Sequence, residues 1–112
     1  MNKEPKFKPT FGDYISNTQA LDNEKAFIAA IGEPDAVRSQ FYGSDILQEM
    51  LNRDSVVGIR FSYGINENNI PNIILTPIDT YGDIVNKPTN GGVGDDGDNR
   101  GGYGPTCPEF CE

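Results

Sequence analysis

Hydrophobic side chains fall in a series of short stretches between residues 21 and 86, and their spacing changes from helical to alternating along the way. In Leu21–Gly32, Phe27, Ile28 and Ile31 stand at i, i+1 and i+4, Asp22 is a good N-cap, and Gly32 followed by Pro34 supplies a stop. This spacing predicts a short helix over roughly 22–31. From Ala36 to Tyr42, Val37 and Phe41 alternate against Arg38, Gln40 and Tyr42, a pattern that suits a half-buried strand and equally a helical turn. Ile46, Leu47, Met50 and Leu51 then form one apolar stripe over 45–52, with Ser44 placed to cap the amide ends, which predicts a second helix. Strict alternation follows: Val57, Ile59, Phe61 and Tyr63 share one face, and Val56, Gly58, Arg60 and Ser62 the other. Asn66–Asn69 is turn chemistry, because asparagine tolerates the left-handed region, and Asn72–Ile78 resumes an extended pattern after Pro71. The two runs predict an antiparallel hairpin. A second turn at Asp79–Asp83 leads to Ile84-Val85, short enough only to add to the sheet's edge. The expected class is α+β, with two short helices packed on a small antiparallel β-sheet and a Gly/Asp-rich C-terminal tail.

Composition divides the 112 residues into three parts. Residues 1–20 are a polar N-terminal arm with three lysines against two acids, interrupted by Pro5, Pro9 and Gly12. Residues 21–86 hold nearly all the aliphatic side chains, with ten acids and four bases, and form the expected core domain. Residues 87–112 are a Gly-rich acidic tail whose only sizeable hydrophobes are Val93, Tyr103 and Phe110, too few to offset the entropy of ordering by burial. A core of this length sits near the lower limit for independent folding, so a partner or self-association is expected to help. No repeat of solenoid period is present.

Charge narrows the function. Seventeen acidic residues against nine basic ones give −8, which repels phosphate backbones and anionic bilayers, so neither nucleic acid nor membrane is expected as a partner. The absence of histidine removes Ser-His-Asp and Cys-His catalysis and every histidine-containing zinc set. No apolar run follows the N-terminal lysines and none approaches the ~20 residues of a membrane helix, so a cytoplasmic location is expected. Export by a dedicated apparatus would also suit a terminal cysteine pair.

The run FYGSDILQEMLNRDSVVGIRFSYGINENNIPNIILTPID, followed by a Gly-rich stretch ending in CPEFC, resembles a group of small uncharacterised bacterial proteins. They share an aromatic-glycine lead into a helix, a VGIR-x-x-YG hairpin and a C-terminal C-P-x-x-C. The resemblance spans about residues 22–85 and the cysteine tail. It carries no activity with it, so it assigns no functional residue.

Four constellations hold candidate chemistry. Gly91–Asn99 resembles one copy of the GGxGxD nonapeptide that binds calcium in parallel β-helices, with Asp95, Asp96 and Asp98 as hard-oxygen ligands. It departs from that pattern because Asp98 stands where a large aliphatic belongs and the unit occurs once; the bland reading is a solvated acidic linker. Cys107 and Cys111 have three residues between them, which is not the redox C-x-x-C spacing. They can form a local disulfide, stay reduced in the cytosol, or supply a metal only by pooling thiolates between copies. Asp45, Glu49, Asp54, Asp79 and Asp83 are the acids available to a carboxylate-dependent enzyme, although they read most simply as surface and turn residues. Ser44, Ser55 and Ser62 have no histidine to activate them and read as cap, turn and strand residues. Arg60, in mid-strand beside Gly58, is either a solvent-facing arginine paired with an acid or, with Tyr63 and Tyr42, part of a partner surface.

The function expected from these patterns is a small, acidic, non-enzymatic interaction or structural module. Its partner is an unknown protein or a second copy of itself. A calcium- or metal-responsive protein using the Asp-rich or Cys tail is the alternative, and a small carboxylate-dependent enzyme is the second.

Overall fold

A computed structural model describes residues 4–32, 36–87 and 99–107. The element order is α1 (Asn17–Ile31), β1 (Ser39–Gln40), α2 (Ser44–Leu51), β2 (Val56–Ile65), β3 (Pro71–Asp79) and β4 (Thr106–Cys107). The fold is α+β. Its centre is the antiparallel β2–β3 hairpin, in register with Arg60 opposite Thr76, Phe61 opposite Leu75 and Tyr63 opposite Ile73, and with a bulge between Val56 and Gly58. The asparagine turn closes as its chemistry requires. Asn66 Oδ1 accepts from the Asn68 and Ile70 amides at 2.9 and 3.1 Å, while Asn69 takes a left-handed φ of 64°.

β3 is the buried strand. Leu75, Thr76, Pro77 and Ile78 are all buried in succession, so both faces of the strand are covered. On one face Ile46 and Met50 of α2 converge with Leu75 on Gly101, where an added Cβ would lie 3.1–3.2 Å from each. On the other face lies the N-terminal arm. The Lys6 and Phe7 amides donate to the Thr80 carbonyl at 2.8 and 3.0 Å, and the Phe7 ring sits against Gly82 and beneath the Arg60 guanidinium, 5.7 Å from it.

The outer edge of β3 is closed group by group. Ile73 donates its amide to Gln40 Oε1 at 2.6 Å and accepts from the Tyr42 hydroxyl. Leu75 exchanges two bonds with Gly101 at 3.0 and 2.9 Å. The Pro77 carbonyl accepts from Val85, and Asp79 donates to the Asp83 carbonyl and accepts from Gly82, at 3.0–3.1 Å. Proline at position 77 has no N–H to leave orphaned on that edge. Backbone polar groups removed from water are thereby paired, as burial demands.

Several expectations need correction. α1 begins five residues before 22, because Ser16 and not Asp22 is the N-cap, its side chain accepting from the Gln19 amide at 3.0 Å. Gly32 does end the helix, with a left-handed φ of 74°. α1 buries none of its residues, whereas α2 buries Met50. The cap position of α2 is Gly43, with no side-chain bond; Ser44 is already helical. Only Ser39 and Gln40 of the 36–42 run are strand, paired antiparallel with Thr106 and Cys107. Ile84 joins the sheet by a single bridge to Ile78.

The largest difference concerns the two polar ends. The arm docks through Phe7, and residues 99–107 of the Gly-rich segment return to the hairpin. Their few hydrophobes are not what holds them. Glycine admits a closer approach than any other residue: Gly101 is buried between α2 and β3, and a Cβ on Gly104 would collide with the Phe41 carbonyl. Among the described residues no helix is long and apolar enough to cross a membrane.

Candidate functional site

The apolar face of β2 is covered at one end only. Val57 and Ile59 are half-buried, but Phe61 and Tyr63 remain 60% and 88% exposed. α1 runs past this uncovered end without closing on it, leaving a groove of about 830 Å³. Leu21, Phe27 and Ile28 of α1 form one wall, and Val37, Tyr63 and Ile73 line the remainder. Glu24, Lys25 and Arg38 lie at the exposed rim.

Three amide residues line this groove: Asn23, exposed on α1, and Gln40 and Asn72, which are already engaged. Gln40 Nε2 donates to Asn72 Oδ1 and to the Gly104 carbonyl, both at 2.8 Å. Asn72 Oδ1 also accepts from the Tyr103 amide at 3.1 Å. With those polar groups satisfied internally, the groove offers apolar wall and aromatic face. A lining of this kind suits hydrophobic groups.

The groove adjoins an open strand edge. Since Ile73, Leu75, Pro77 and Asp79 bond outward from β3, the alternate residues of β3 bond to β2, and the backbone groups of Ile59, Phe61 and Tyr63 point away from the hairpin. Among the described residues nothing pairs with them. An unpaired edge of this length is a template for a further strand.

Of the three partner-surface candidates, only Tyr63 belongs to this groove. Arg60 lies on the opposite face of β2, its guanidinium over the Phe7 ring. Tyr42 is half-buried and its hydroxyl is spent on the Ile73 carbonyl. Burial raises the phenol above its usual range, against a smaller lowering by the Gly104 backbone, so it stays a protonated donor.

The five candidate acids are dispersed. Asp45 is exposed in the first turn of α2, where the helix dipole favours it. Glu49 turns to Arg53 with bonds of 2.9 and 2.6 Å. Asp54 is exposed, and Asp79 Oδ1 accepts from the Tyr81 and Asp83 amides at 2.9 Å, holding the turn. Among the described residues no three acidic or cysteine side chains come together. Ser55 adopts φ 75° in the turn before β2, and Ser62 sits half-buried within it. Asp95, Asp96, Asp98 and Cys111 lie outside the described residues, and of Cys107 only the backbone is described, opposite Ser39.

Arg53 was not singled out by the residue patterns, yet it organises the side of the fold away from the groove. Its side chain is only 3% exposed. Nε and Nη2 hold the Glu49 carboxylate, and Nη1 donates to the Val85 and Asn99 carbonyls at 3.0 and 2.9 Å. One guanidinium thus ties α2 to two later segments. The hydrogen bond from Arg53 holds the Glu49 carboxyl below the usual glutamate range. The i, i+4 spacing of Glu49 and Arg53 is a readable signal for that pair; the carbonyl contacts leave no trace in local sequence.

Comparison with protein-family models, with curated proteins and with solved structures finds no match.

Proposed function

We propose that this chain is a non-enzymatic interaction module whose docking face is the uncovered end of β2 together with the groove beneath α1. The observation that carries the reading is an asymmetry between the two edges of one hairpin. On β3 every outward backbone group from Ile73 to Asp79 is matched by a partner from elsewhere in the chain. On β2, Ile59, Phe61 and Tyr63 have none among the described residues, and they stand beside an apolar groove of about 830 Å³. An extended segment laid on this edge gains main-chain bonds there and seats alternate side chains against Tyr63, Phe27 and Ile28. Its specificity then comes from those alternate side chains, because main-chain bonding alone discriminates little.

The test is a display selection of random extended peptides against the full chain, with each recovered peptide re-measured on Tyr63→Arg. Peptides with apolar residues at alternate positions are expected, bound at least ten times more weakly by the variant. Recovery of no peptide whose binding depends on Tyr63 overturns the reading.

A further inference from the structure

We infer that the open edge of β2 is completed by a second copy of the same strand, giving a two-fold dimer with a continuous four-stranded sheet. The inference rests on the docking face proposed above and names its occupant.

The register follows from the backbone. Ile59, Phe61 and Tyr63 point their N–H and C=O groups outward, the bulge between Val56 and Gly58 ends the regular edge on one side, and the Asn66 turn ends it on the other. The strand available for pairing is Gly58–Gly64, and its midpoint is Phe61. An antiparallel pairing about a two-fold axis at Phe61 sets Ile59 opposite the second copy's Tyr63 and Phe61 opposite its own equivalent. In this register the three outward-bonding pairs each exchange two backbone bonds.

The same register sorts side chains. Gly58 falls opposite Gly64 and Arg60 opposite Ser62, so the face that carries the arginine brings no like charges together. The other face meets with Ile59, Phe61 and Tyr63 alone, the aliphatic and aromatic pairs that stabilise sheets. Moving the axis to Tyr63 would set Ile59 against Glu67 and shorten the ladder. One symmetric register therefore uses the whole edge. A two-fold contact also closes on itself, leaving no new free edge from β2.

The area is modest. Aromatic side chains present about 150–250 Å² each. At 60% and 88% exposure, Phe61 and Tyr63 together offer roughly 220–370 Å² per copy, or about 450–750 Å² across the dimer, before backbone is counted. With the strand edges added, the patch is small beside the about 1,200–2,000 Å² typical of specific complexes. Affinity on the order of micromolar is expected from such a patch.

Sedimentation equilibrium of the full chain from about 1 µM to 1 mM tests this. The expected result is a monomer–dimer equilibrium that Phe61→Lys weakens at least tenfold. Ser62→Glu, which faces the second copy's Arg60 twice per dimer, is expected to tighten it roughly 2- to 30-fold, and Ser62→Arg to weaken it by a similar factor. Circular dichroism checks that each variant stays folded, and the opposed signs of the Ser62 pair exclude a general loss of structure. A chain monomeric throughout, a dimer untouched by Phe61→Lys, or Ser62 variants moving in the same direction would each overturn the inference. Tyr63-dependent peptide binding by a monomeric chain would show that the docking face stands and only its occupant is wrong.

Discussion

Replacing Arg53 by methionine keeps most of the stem and removes the guanidinium, and the structure sets what this costs. Two of the lost bonds run from Nη1 to the carbonyls of Val85 and Asn99, both in partly buried segments. Hydrogen bonds to a charged group contribute about 1.5–3 kcal/mol each. The Glu49 side is different: its side chain is 41% exposed, so water replaces the guanidinium and that share is only about 0–1 kcal/mol. The total is about 3–7 kcal/mol, a span that includes the about 3–5 kcal/mol typical of breaking a buried charged pair from one side. For a chain of this size, whose stability is on the order of 5–15 kcal/mol, that is a large part of the whole. Glu49→Gln, by contrast, keeps an acceptor for Arg53 and is expected to cost about 0.5–1 kcal/mol. Urea unfolding of both variants and of the double variant measures the difference. Amide exchange supplies a second readout, since Gly101 and Leu75 should lose protection in Arg53→Met ahead of the hairpin turn. Equal losses from the two single substitutions, or less than about 1 kcal/mol from Arg53→Met, would refute the claim that the two carbonyls carry the effect.

Three further outcomes follow from the same contacts. Because Arg53 lowers the Glu49 carboxyl in the folded state, its contribution is complete above the ordinary glutamate range and is lost as pH falls through the lowered value; thermal midpoints between pH 6 and pH 3 should decline less steeply for Glu49→Gln than for the natural chain. Gly101→Ala pushes a methyl to 3.1–3.2 Å from Ile46, Met50 and Leu75, and overpacking of this kind should cost about 1–3 kcal/mol in a thermal melt, while Gly104→Ala meets a backbone carbonyl that cannot rotate away and should cost more. Phe7→Ala should remove about 1–2 kcal/mol, the worth of a half-buried aromatic, and Arg60→Ala only about 0.5–1 kcal/mol, the worth of an exposed cation over a ring; denaturant midpoints distinguish them, and a larger loss for Arg60 would mean that it has a partner other than Phe7.

The hairpin, its asparagine turn and α2 were readable from residue order because each is a local pattern: alternation in 56–64, turn chemistry at 66–69, one apolar stripe in 46–51. The glycine stop of α1 was equally local. What was missed is non-local or depends on small residues. Asp22 and Ser16 are both good cap residues, and nothing within the helix repeat distinguishes an uncovered first turn from the loop before it, since α1 buries none of its residues. Counting hydrophobes in the Gly-rich segment measured the wrong quantity: Gly101 and Gly104 dock by letting backbone come close, a contribution that hydropathy scores as zero. Gln40 and Arg53 were passed over for a similar reason. The partners of Gln40, at Asn72, Ile73 and Gly104, and the carbonyls that Arg53 holds, at Val85 and Asn99, lie 32 or more residues away. Tyr63 stood out in the alternation of β2, but the groove it lines takes its other wall from α1, whose distance from the sheet no periodicity reports.

Closure of the outer edge of β3 by Gln40, Tyr42, Asp83, Val85 and Gly101 also orders events in time. The hairpin is a local structure that forms in microseconds once residue 79 is free, but Gly101 is translated more than twenty residues later. Until then a growing chain carries Leu75 with its outer strand edge unpaired. Nascent chains in that condition are the ones that chaperones engage and that aggregate when synthesis stalls. A chain that ends at Lys87 should therefore aggregate under conditions in which the full chain stays folded.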